Sequence, residues 1–574
     1  MTDLKLSPAA QANLDWWLTN PVTLPWREPI EELVSTGQSE ELENAFYQRL
    51  EFGTAGIRGQ VGLGTARINE LMIGLATQGL VNYCLAEDAD SKSRGIVVGS
   101  DTRTSSPTFV ALVCQILVAN GFRVWRFPAP RQVGMMSLAI RHYQAAAGIY
   151  ISASHNPPSD NGFKCYWSDG AQVLAPHDQG IIQAVAAVTE ILMSGDKGSI
   201  TPIESDFDQL YIKTVLNEGL LTTAERTAKL VYSPFHGTGQ YGVLPVLKQA
   251  GFEVVTVQEQ MSPDGLFPAI TGGVPNPQNQ ESNDLTAALV IAEKADLGIS
   301  TDPDADRLGL VRPLEQSTAI LDGNQTATLL GYFICQRLKE QDKLPTNGFL
   351  ARTWVTTAIL DDIAADFGLK SYQTLVGFKY IGRLIEAHED QGTEKFIFAG
   401  EESYGCLKGS YARDKDASVA ALMAGELVAW LKANHQTIES YLAEIYQRYG
   451  YYALQPVDLK FPGASGFQEM QDLMAKLRQT PVTQIGQWPV SNIIDFAEAA
   501  EPTNMLIINL DEAGRTQVIV RPSGTEPKIK LYTSYYASMV KGTSGQAYDQ
   551  AMEQAQEQSN ALKAASQAWL ESLR

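Results

Sequence analysis

Short apolar, β-branched runs alternate with stretches of helical period along most of this chain. After an amphipathic first helix, the runs GIVVGSD, FRVWRF and AAGIYIS between residues 95 and 152 are separated by helix-period segments at 107–119 and 132–143. Strands that alternate with helices predict an α/β domain. The pattern returns with KLVYSPFHG (229–237), FEVVTV (252–257) and ADLGIST (295–301), interleaved with helical stretches at 241–250 and 281–294. A third pass runs through GFLART (348–353), SYQTLV (371–376) and KFIFAG (395–400). The end of the chain differs: NMLIINL (504–510), TQVIVRPSG (516–524) and PKIKLYTSYY (527–536) lie close together ahead of a long Ala-, Gln- and Glu-rich helix, the pattern of an α+β unit. The expected fold is α/β, with three related mixed-sheet α/β domains at 1–205, 206–320 and 321–445 and a smaller C-terminal α+β domain at 446–574.

Each of the three passes contains a strand that runs into a polar loop: IYIS into ASHNP, LGIS into TDPDADR, FIFA into GEESYG. Ligands of open α/β sheets bind beyond the carboxyl ends of the strands, and three units that each offer one loop suit a site where domains meet. Behind the first strand, Pro157 and Pro158 cannot donate to a ladder, and Asn161-Gly162 is a turn signal. Ser154, His155, Asn156 and Lys164 are therefore expected on or just beyond a loop at the end of a buried strand.

Composition narrows the classes. A chain of 574 residues exceeds a single core and fits roughly three to five domains. The formal net charge of −21 argues against a nucleic-acid or anionic-membrane surface, so the basic contacts of an anionic ligand are a local minority. Five widely spaced cysteines without a C-x-x-C predict buried thiols rather than a disulfide framework or a zinc site. The amino terminus lacks the apolar core of a signal peptide, and no apolar run approaches the ~20 residues that span a bilayer. The expectation is a cytoplasmic monomer or homodimer with a small-molecule substrate and neither nucleic acid nor membrane as a partner.

The loops carry the chemistry. In TDPDADR, Asp302, Asp304 and Asp306 stand at every second position of a tight turn, where like charges repel unless a cation sits among them. Carboxylate oxygens suit magnesium or calcium. An EF-hand is excluded because Arg307 and Pro313 stand where that loop needs glycine and glutamate. A solvated acidic turn, partly neutralised by Arg307, is the alternative. In RPSGTEP, Ser523, Gly524 and Thr525 offer N–H groups and hydroxyls behind Arg521, a combination that cradles phosphate, although a plain hairpin turn would look similar. EFGTAGIRGQ places Arg58 among glycines without the Lys-Ser/Thr ending of a nucleotide loop. Glu401, Glu402 and Ser403 of GEESYG can bond sugar hydroxyls or simply form a polar turn. A metal triad and two phosphate-type loops without a nucleotide fingerprint point to phosphoryl transfer in which protein or substrate is the donor. A serine can carry the group, and a lysine of lowered pKa can move the proton, which gives Ser154 and Lys164 these roles. Taken singly, Ser154 could be a turn former and His155 a residue that orients the loop.

Together, GTAGIRG, SASHNP with NGFK, DPDADR, GEESYG and RPSGTEP, in this order along nearly the whole chain, resemble the α-D-phosphohexomutase superfamily. The resemblance implies four domains around a central cleft, a phosphoserine at Ser154, and Mg²⁺ held by Ser154, Asp302, Asp304 and Asp306. EFGTAGIRG, YWSDGAQVLAPHD, VGFKYIG and GEESYGCLKGSYARDKD look most like the phosphoglucomutase branch that also includes phosphopentomutases. From that branch, Glu401 and Ser403 are expected to read sugar hydroxyls, and Gly377, Phe378 and Lys379 to help choose the sugar. Ser152 in place of a more usual threonine and Cys165 in place of valine are mild departures.

The combined expectation is interconversion of glucose 1-phosphate and glucose 6-phosphate through glucose 1,6-bisphosphate. Ser154, Lys164, His155 and Arg58 are its catalytic set, Arg307 is an electrostatic support at the substrate, and Arg521, Ser523, Gly524 and Thr525 hold the non-reacting phosphate. The same chemistry on pentose or mannose phosphates, a phosphatase, and a catalytically silent sugar-phosphate sensor are the rivals.

Overall fold

Residues 147–151 are buried without exception, as the run of small and β-branched side chains requires of a strand covered on both faces. This strand is part of a computed structural model that describes residues 4–50, 53, 56–461, 466–480, 482–499, 501–523, 527–542 and 545–574. The first sheet contains β1 (Gly56–Gln60), β2 (Ile96–Ser100), β3 (Arg123–Arg126), β4 (Ala147–Ile151), β5 (Asp160–Trp167) and β6 (Ser199–Pro202), in the order β1-β5-β4-β2-β3-β6. The second contains β7 (Lys229–Ser233), β8 (Glu253–Thr256), β9 (Leu297–Thr301), β10 (Leu308–Pro313) and β11 (Thr318–Leu321), in the order β11-β10-β9-β7-β8. The third contains β12 (Gly348–Thr353), β13 (Lys370–Thr374), β14 (Lys395–Gly400) and β15 (Cys406–Lys408), in the order β13-β12-β14-β15.

One arrangement recurs in all three: β5-β4-β2-β3, β10-β9-β7-β8 and β15-β14-β12-β13. In each, three strands are parallel and the one at the head is antiparallel to its neighbour. Each polar loop singled out in the sequence is the connection between that antiparallel strand and the parallel strand beside it, β4, β9 or β14. Such a loop must reverse the chain within a few residues, and each contains a non-glycine residue in the left-handed region: Ser154 at φ 52°, Ala305 at 51° and Tyr404 at 73°.

The three units share one apolar cluster that runs from Met136 and Tyr150 through Leu230 and Val246 to Phe349 and Leu422. Helix Ala417–Ala433 is apolar on all sides and buried along almost its whole length, as its composition demands. The fourth unit is built on β16 (Tyr451–Lys460), β19 (Asn492–Asp495), β20 (Leu506–Asn509), β21 (Gln517–Pro522) and β22 (Lys528–Ala537), in the antiparallel order β16-β22-β21-β20-β19, with a separate pair of β17 (Gln484–Ile485) and β18 (Trp488–Pro489). Helices Gly466–Gln479 and Gln546–Ser572 belong to this unit, and Val355 of the third unit packs with its Phe496, Met505, Ile507 and Ile519. Ahead of the first sheet, helices Pro8–Thr19, Glu28–Ser35 and Ser39–Phe46 close a small core around Trp17 and Phe46.

Two local expectations are corrected. Asn161-Gly162 is not a turn but the start of β5, which is paired on both sides, to β4 and to β1. Arg58 lies on edge strand β1 rather than in a loop. Gly162 opposes Arg58 across the ladder, and a Cβ there would come within 2.4 Å of the Ser152 carbonyl oxygen, so the glycine serves close strand approach. All five cysteines are free and buried, as expected, and burial pushes the Cys84 thiol up to about 12. No helix among the described residues is long and apolar enough to cross a membrane.

Candidate functional site

The serine loop and the aspartate loop meet at the carboxyl ends of β4 and β9. Ser154, only 2 % exposed, donates its hydroxyl to Asp302 Oδ2 at 2.7 Å and lies 3.2 Å from His155 Nδ1. Ser152 supports this placement twice: its Oγ accepts the Ser154 N–H at 2.8 Å and donates to Asp304 Oδ2 at 2.9 Å. Side chains alternate along β5, so Phe163 and Cys165 enter the core of the first unit while Lys164 and Tyr166 project from the opposite face, Tyr166 into the apolar cluster shared by the three units and Lys164 toward the aspartate loop. Lys164 Nζ there reaches Asp304 Oδ2 at 2.6 Å and Asp306 Oδ2 at 3.7 Å, and Tyr166 donates to Asp414 Oδ2 at 3.0 Å.

Asp302, Asp304 and Asp306 are all buried, and one carboxylate oxygen from each lies within 4.8 Å of the others. The turn is shaped by Asp302 Oδ1, which accepts the N–H groups of Asp306 and Arg307 at 3.2 and 3.0 Å. Asp304 Oδ1 and Asp306 Oδ1 are buried without a hydrogen-bond partner among the described residues. Hard oxygen donors, close spacing and unpartnered carboxylate oxygens fit a divalent cation. The electrostatics agree with this fit. Burial, reinforced by Asp304 and Asp306, pushes the Asp302 carboxyl well above its ordinary range. For Asp304, burial is outweighed by Lys164, which holds the carboxyl below that range.

The lysine expectation needs correction. Burial alone would lower the Lys164 pKa, but the adjacent Asp304 and Asp306 raise it. The side chain is therefore an ammonium held by carboxylates and not a lysine of lowered pKa. His155 goes the other way: burial, with Arg307 and Arg58 nearby, keeps its pKa well below the ordinary value, so the ring is neutral. Arg58 NH1 donates to Asn156 Oδ1 at 3.3 Å, and Arg307 Nε stands 3.9 Å from Asp306 Oδ1.

The third loop joins through a residue that the sequence reasoning missed. Lys415 Nζ lies 3.3 Å from Asp306 Oδ2 and 3.0 Å from Asp414 Oδ1, and 5.6 Å from the centre of the Phe378 ring. It thus links the aspartate loop to the segment that carries Gly377, Phe378 and Lys379. The signal was present in ARDKD, whose alternating charges on a buried stretch need mutual compensation. Glu401 is buried beside Lys415, and burial raises its pKa to about 7. Ser403 is half-buried in the same turn. Backbone bonds bind the loops together: Leu308 N–H to the Tyr404 carbonyl at 2.9 Å, Ala417 N–H to that of Ala305 at 3.1 Å, and Val133 N–H to that of Asp304 at 3.1 Å.

Gly377 adopts φ 118°, which suits glycine alone, and turns the chain into helix Phe378–Gln391. Phe378 is buried. Lys379 is 9 % exposed; burial lowers its pKa to about 8, Asp178 opposes the shift, and the cations Arg383 and Arg521 add to it. Arg521 lies at the end of β21 rather than in the loop beyond, where Ser523 donates its N–H to the Lys528 carbonyl at 2.8 Å. Gly524 and Thr525 lie outside the described residues. Lys379, Arg383 and Arg521 form a cationic group between the third and fourth units of a strongly acidic protein.

Comparison with known proteins agrees with this architecture. The models for phosphoglucomutase/phosphomannomutase alpha/beta/alpha domains I, II and III match residues 49–191, 209–314 and 322–449. The chain is 31% identical to a phosphopentomutase of Homo sapiens over 92% of its own length and 91% of that protein. It is 32% identical to a phosphoglucomutase of Staphylococcus haemolyticus, with 86% and 91% covered. The crystal structure of the exocytosis-sensitive phosphoprotein pp63/parafusin from Paramecium, in its open form, superimposes with a TM-score of 0.66 at 19% identity, covering 91% of this chain and 96% of that one. With three consecutive domain models matched and relatives aligned along nearly its whole length, the chain belongs to the α-D-phosphohexomutase superfamily, and is an isomerase of the intramolecular phosphotransferase class.

Proposed function

We propose that this protein is a phosphoglucomutase that interconverts α-D-glucose 1-phosphate and glucose 6-phosphate through a phosphoserine at Ser154 and glucose 1,6-bisphosphate. The observation that carries the reading is the hydrogen bond from Ser154 Oγ to Asp302 within a buried triad of carboxylates. A serine carrying a phosphoryl group there stands beside the oxygen donors of a cation site. Asp302, Asp304 and Asp306 are the residues that would hold Mg²⁺, which when bound would neutralise charge on the phosphoryl oxygens.

In the forward half-reaction the P–O bond to Ser154 Oγ breaks as a bond forms to the free hydroxyl oxygen of the sugar phosphate. Lys164, oriented by Asp304, enters as the ammonium: it gives a proton to Ser154 Oγ as the P–O bond breaks and takes back the one that the attacking hydroxyl loses. His155 fixes the serine hydroxyl, while Arg58 and Arg307 offset the charge of the moving group. After the bisphosphate reverses, its other phosphate returns to Ser154. Glu401 and Ser403 receive sugar hydroxyls. Gly377, Phe378 and Lys379 shape the sugar end of the site, and Arg521 and Ser523, with Gly524 and Thr525, hold the phosphate that does not react.

The same chemistry on a pentose 1-phosphate is the second reading, favoured by the names of relatives that align over 92% of the chain. A coupled assay on glucose 1-phosphate, ribose 1-phosphate and mannose 1-phosphate tests the choice. The highest kcat/KM is expected for glucose 1-phosphate, and a clear preference for ribose 1-phosphate would transfer the assignment to a phosphopentomutase.

A further inference from the structure

The serine loop is gripped from behind by one side chain. Arg103 is 1 % exposed, and its NH1 donates to the carbonyls of Pro157 and Asp160 at 2.6 and 2.7 Å. NH2 donates to those of Ser154 and Asn156 at 2.8 and 2.6 Å, and Nε lies 3.3 Å from Asp101 Oδ2. Both terminal nitrogens of a planar, fixed-charge fork are thus committed to the main chain of one loop, while Nε faces the Asp101 carboxylate.

The support continues into the second unit. Phe267, also 1 % exposed and held at φ 51°, places its ring centre 5.4 Å from the Arg103 guanidinium carbon. Next to it, Gly265 approaches so closely that a Cβ would lie 2.3 Å from the Thr104 nitrogen. His236 closes this segment. Its Nε2 accepts the Ala269 N–H at 3.2 Å, so Nδ1 carries the proton donated to the Ser262 carbonyl at 2.8 Å. Two residues on, Thr238 gives both its N–H and its hydroxyl to the Pro303 carbonyl at 2.8 Å. One short stretch of the second unit therefore fixes the aspartate loop and the segment that backs Arg103 at the same time.

We infer that Arg103 and Phe267 are positioning residues for phosphoryl transfer, a brace across the boundary between the first two units that holds Ser154 in its left-handed conformation and at its distance from Asp302. Neither side chain touches substrate; both act through the loop backbone. The inference rests on the mutase reading for its kinetic consequence. Loss of the brace lets the loop relax toward ordinary dihedrals and moves the reacting oxygen, while the sugar-phosphate contacts of the third and fourth units are untouched. The effect therefore falls on kcat and not on KM.

The test uses the full chain, phosphorylated and saturated with Mg²⁺, in the variants Phe267→Leu and Arg103→Lys. Phe267→Leu keeps an apolar side chain but removes the face beneath the cation, and a fall in kcat of about three- to thirtyfold is expected, the range that cation–π contacts span from partly exposed to desolvated sites. Arg103→Lys leaves a point charge where four carbonyls need a fork, and a fall of up to about 100-fold is expected. Single-turnover transfer from phosphoserine to glucose 1-phosphate, followed by intact mass, should slow by the same factors with KM unchanged. Amide hydrogen exchange over 152–162 should accelerate in both variants. That readout needs no substrate, so it judges the brace even if the native enzyme fails to transfer to glucose 1-phosphate and the proposed function falls. Unchanged exchange and unchanged single-turnover rates in correctly folded Phe267→Leu would overturn the inference, as would an effect confined to KM or to the folded fraction.

Discussion

Lys379 makes the pH dependence of this enzyme calculable. Its pKa is lowered to about 8 by burial, with Arg383 and Arg521 contributing and Asp178 opposing. A lysine is charged below its pKa and neutral above it, so any affinity for a phosphosugar that depends on the charge is full at low pH and disappears as pH rises through about 8. With that pKa, about nine-tenths of free enzyme carries the charge at pH 7 and about one-tenth at pH 9. If only the charged form binds productively, kcat/KM falls about tenfold between these two values, because kcat/KM reports the free enzyme. The phosphate monoester is already a dianion over this range, its second ionisation lying near pH 6. Lys164 and Lys415 are held up by carboxylates, and the Cys406 thiol is pushed up to about 12 by burial, so these groups stay silent, whereas Glu401, raised to about 7 by burial, shapes the acid limb of the profile and not the basic one. The assay is a pH profile of kcat/KM for glucose 1-phosphate at constant ionic strength and saturating Mg²⁺. Arg383→Gln should move the basic limb upward by removing one of the cations that depress Lys379, and Lys379→Arg should flatten it, since guanidinium does not titrate there. A basic limb that is identical in all three proteins would refute the assignment of Lys379 to substrate binding.

Three other outcomes are expected. Ser154→Ala should abolish turnover without loss of the native fold, and intact mass should show a phosphorylated fraction in the native enzyme that the variant lacks; wild-type turnover by the variant would end the phosphoserine mechanism. Asp304→Asn should raise the Mg²⁺ concentration needed for half-maximal activity and lower kcat, and should also destabilise the protein by roughly 2–4 kcal/mol, because it leaves Lys164 buried with Asp306 as its remaining partner; survival of native activity after thorough chelation would remove the metal from the mechanism. Arg521→Ala should lose about 10- to 150-fold in kcat/KM, mostly as raised KM, by deleting a charge-assisted contact of about 1.5–3 kcal/mol, and should increase dependence on added glucose 1,6-bisphosphate; unchanged values of both would move the phosphate-holding role to another loop.

The three chemically loaded loops were legible because each follows a strand whose apolar run is long enough to be read alone, and because carboxylates at alternate positions have few uses. What misled was local turn chemistry. Asn161-Gly162 is a sound hairpin signal, yet β5 gains a ladder on both sides and an apolar face through Phe163 and Cys165, and these outweigh a two-residue preference. Pro456 similarly hides β16, which tolerates proline because, among the described residues, it is an edge strand paired to β22. The Lys164 charge state was beyond reach, since it depends on Asp304 of another unit, brought to 2.6 Å by the docking of two sheets. Arg103 escaped for the same reason, since its fork bonds main-chain carbonyls distant in sequence, and for Lys415 the charge pattern of ARDKD reveals the neighbour Asp414 but not the distant Asp306.

The recurrence of one strand order in three successive units has a consequence for how activity arises during folding. Each unit has a sheet of its own, but the three share one apolar cluster and none contains more than one of the three loops. The serine loop, the aspartate loop and the glutamate turn come together only when the Val133–Asp304, Leu308–Tyr404 and Ala417–Ala305 backbone bonds have closed. Recovery of catalysis after dilution from denaturant is therefore a docking event, later than the return of circular dichroism. A chain released from the ribosome before helix Ala417–Ala433 has emerged lacks both a buried element of the shared core and the Ala417–Ala305 bond, and so has no complete site.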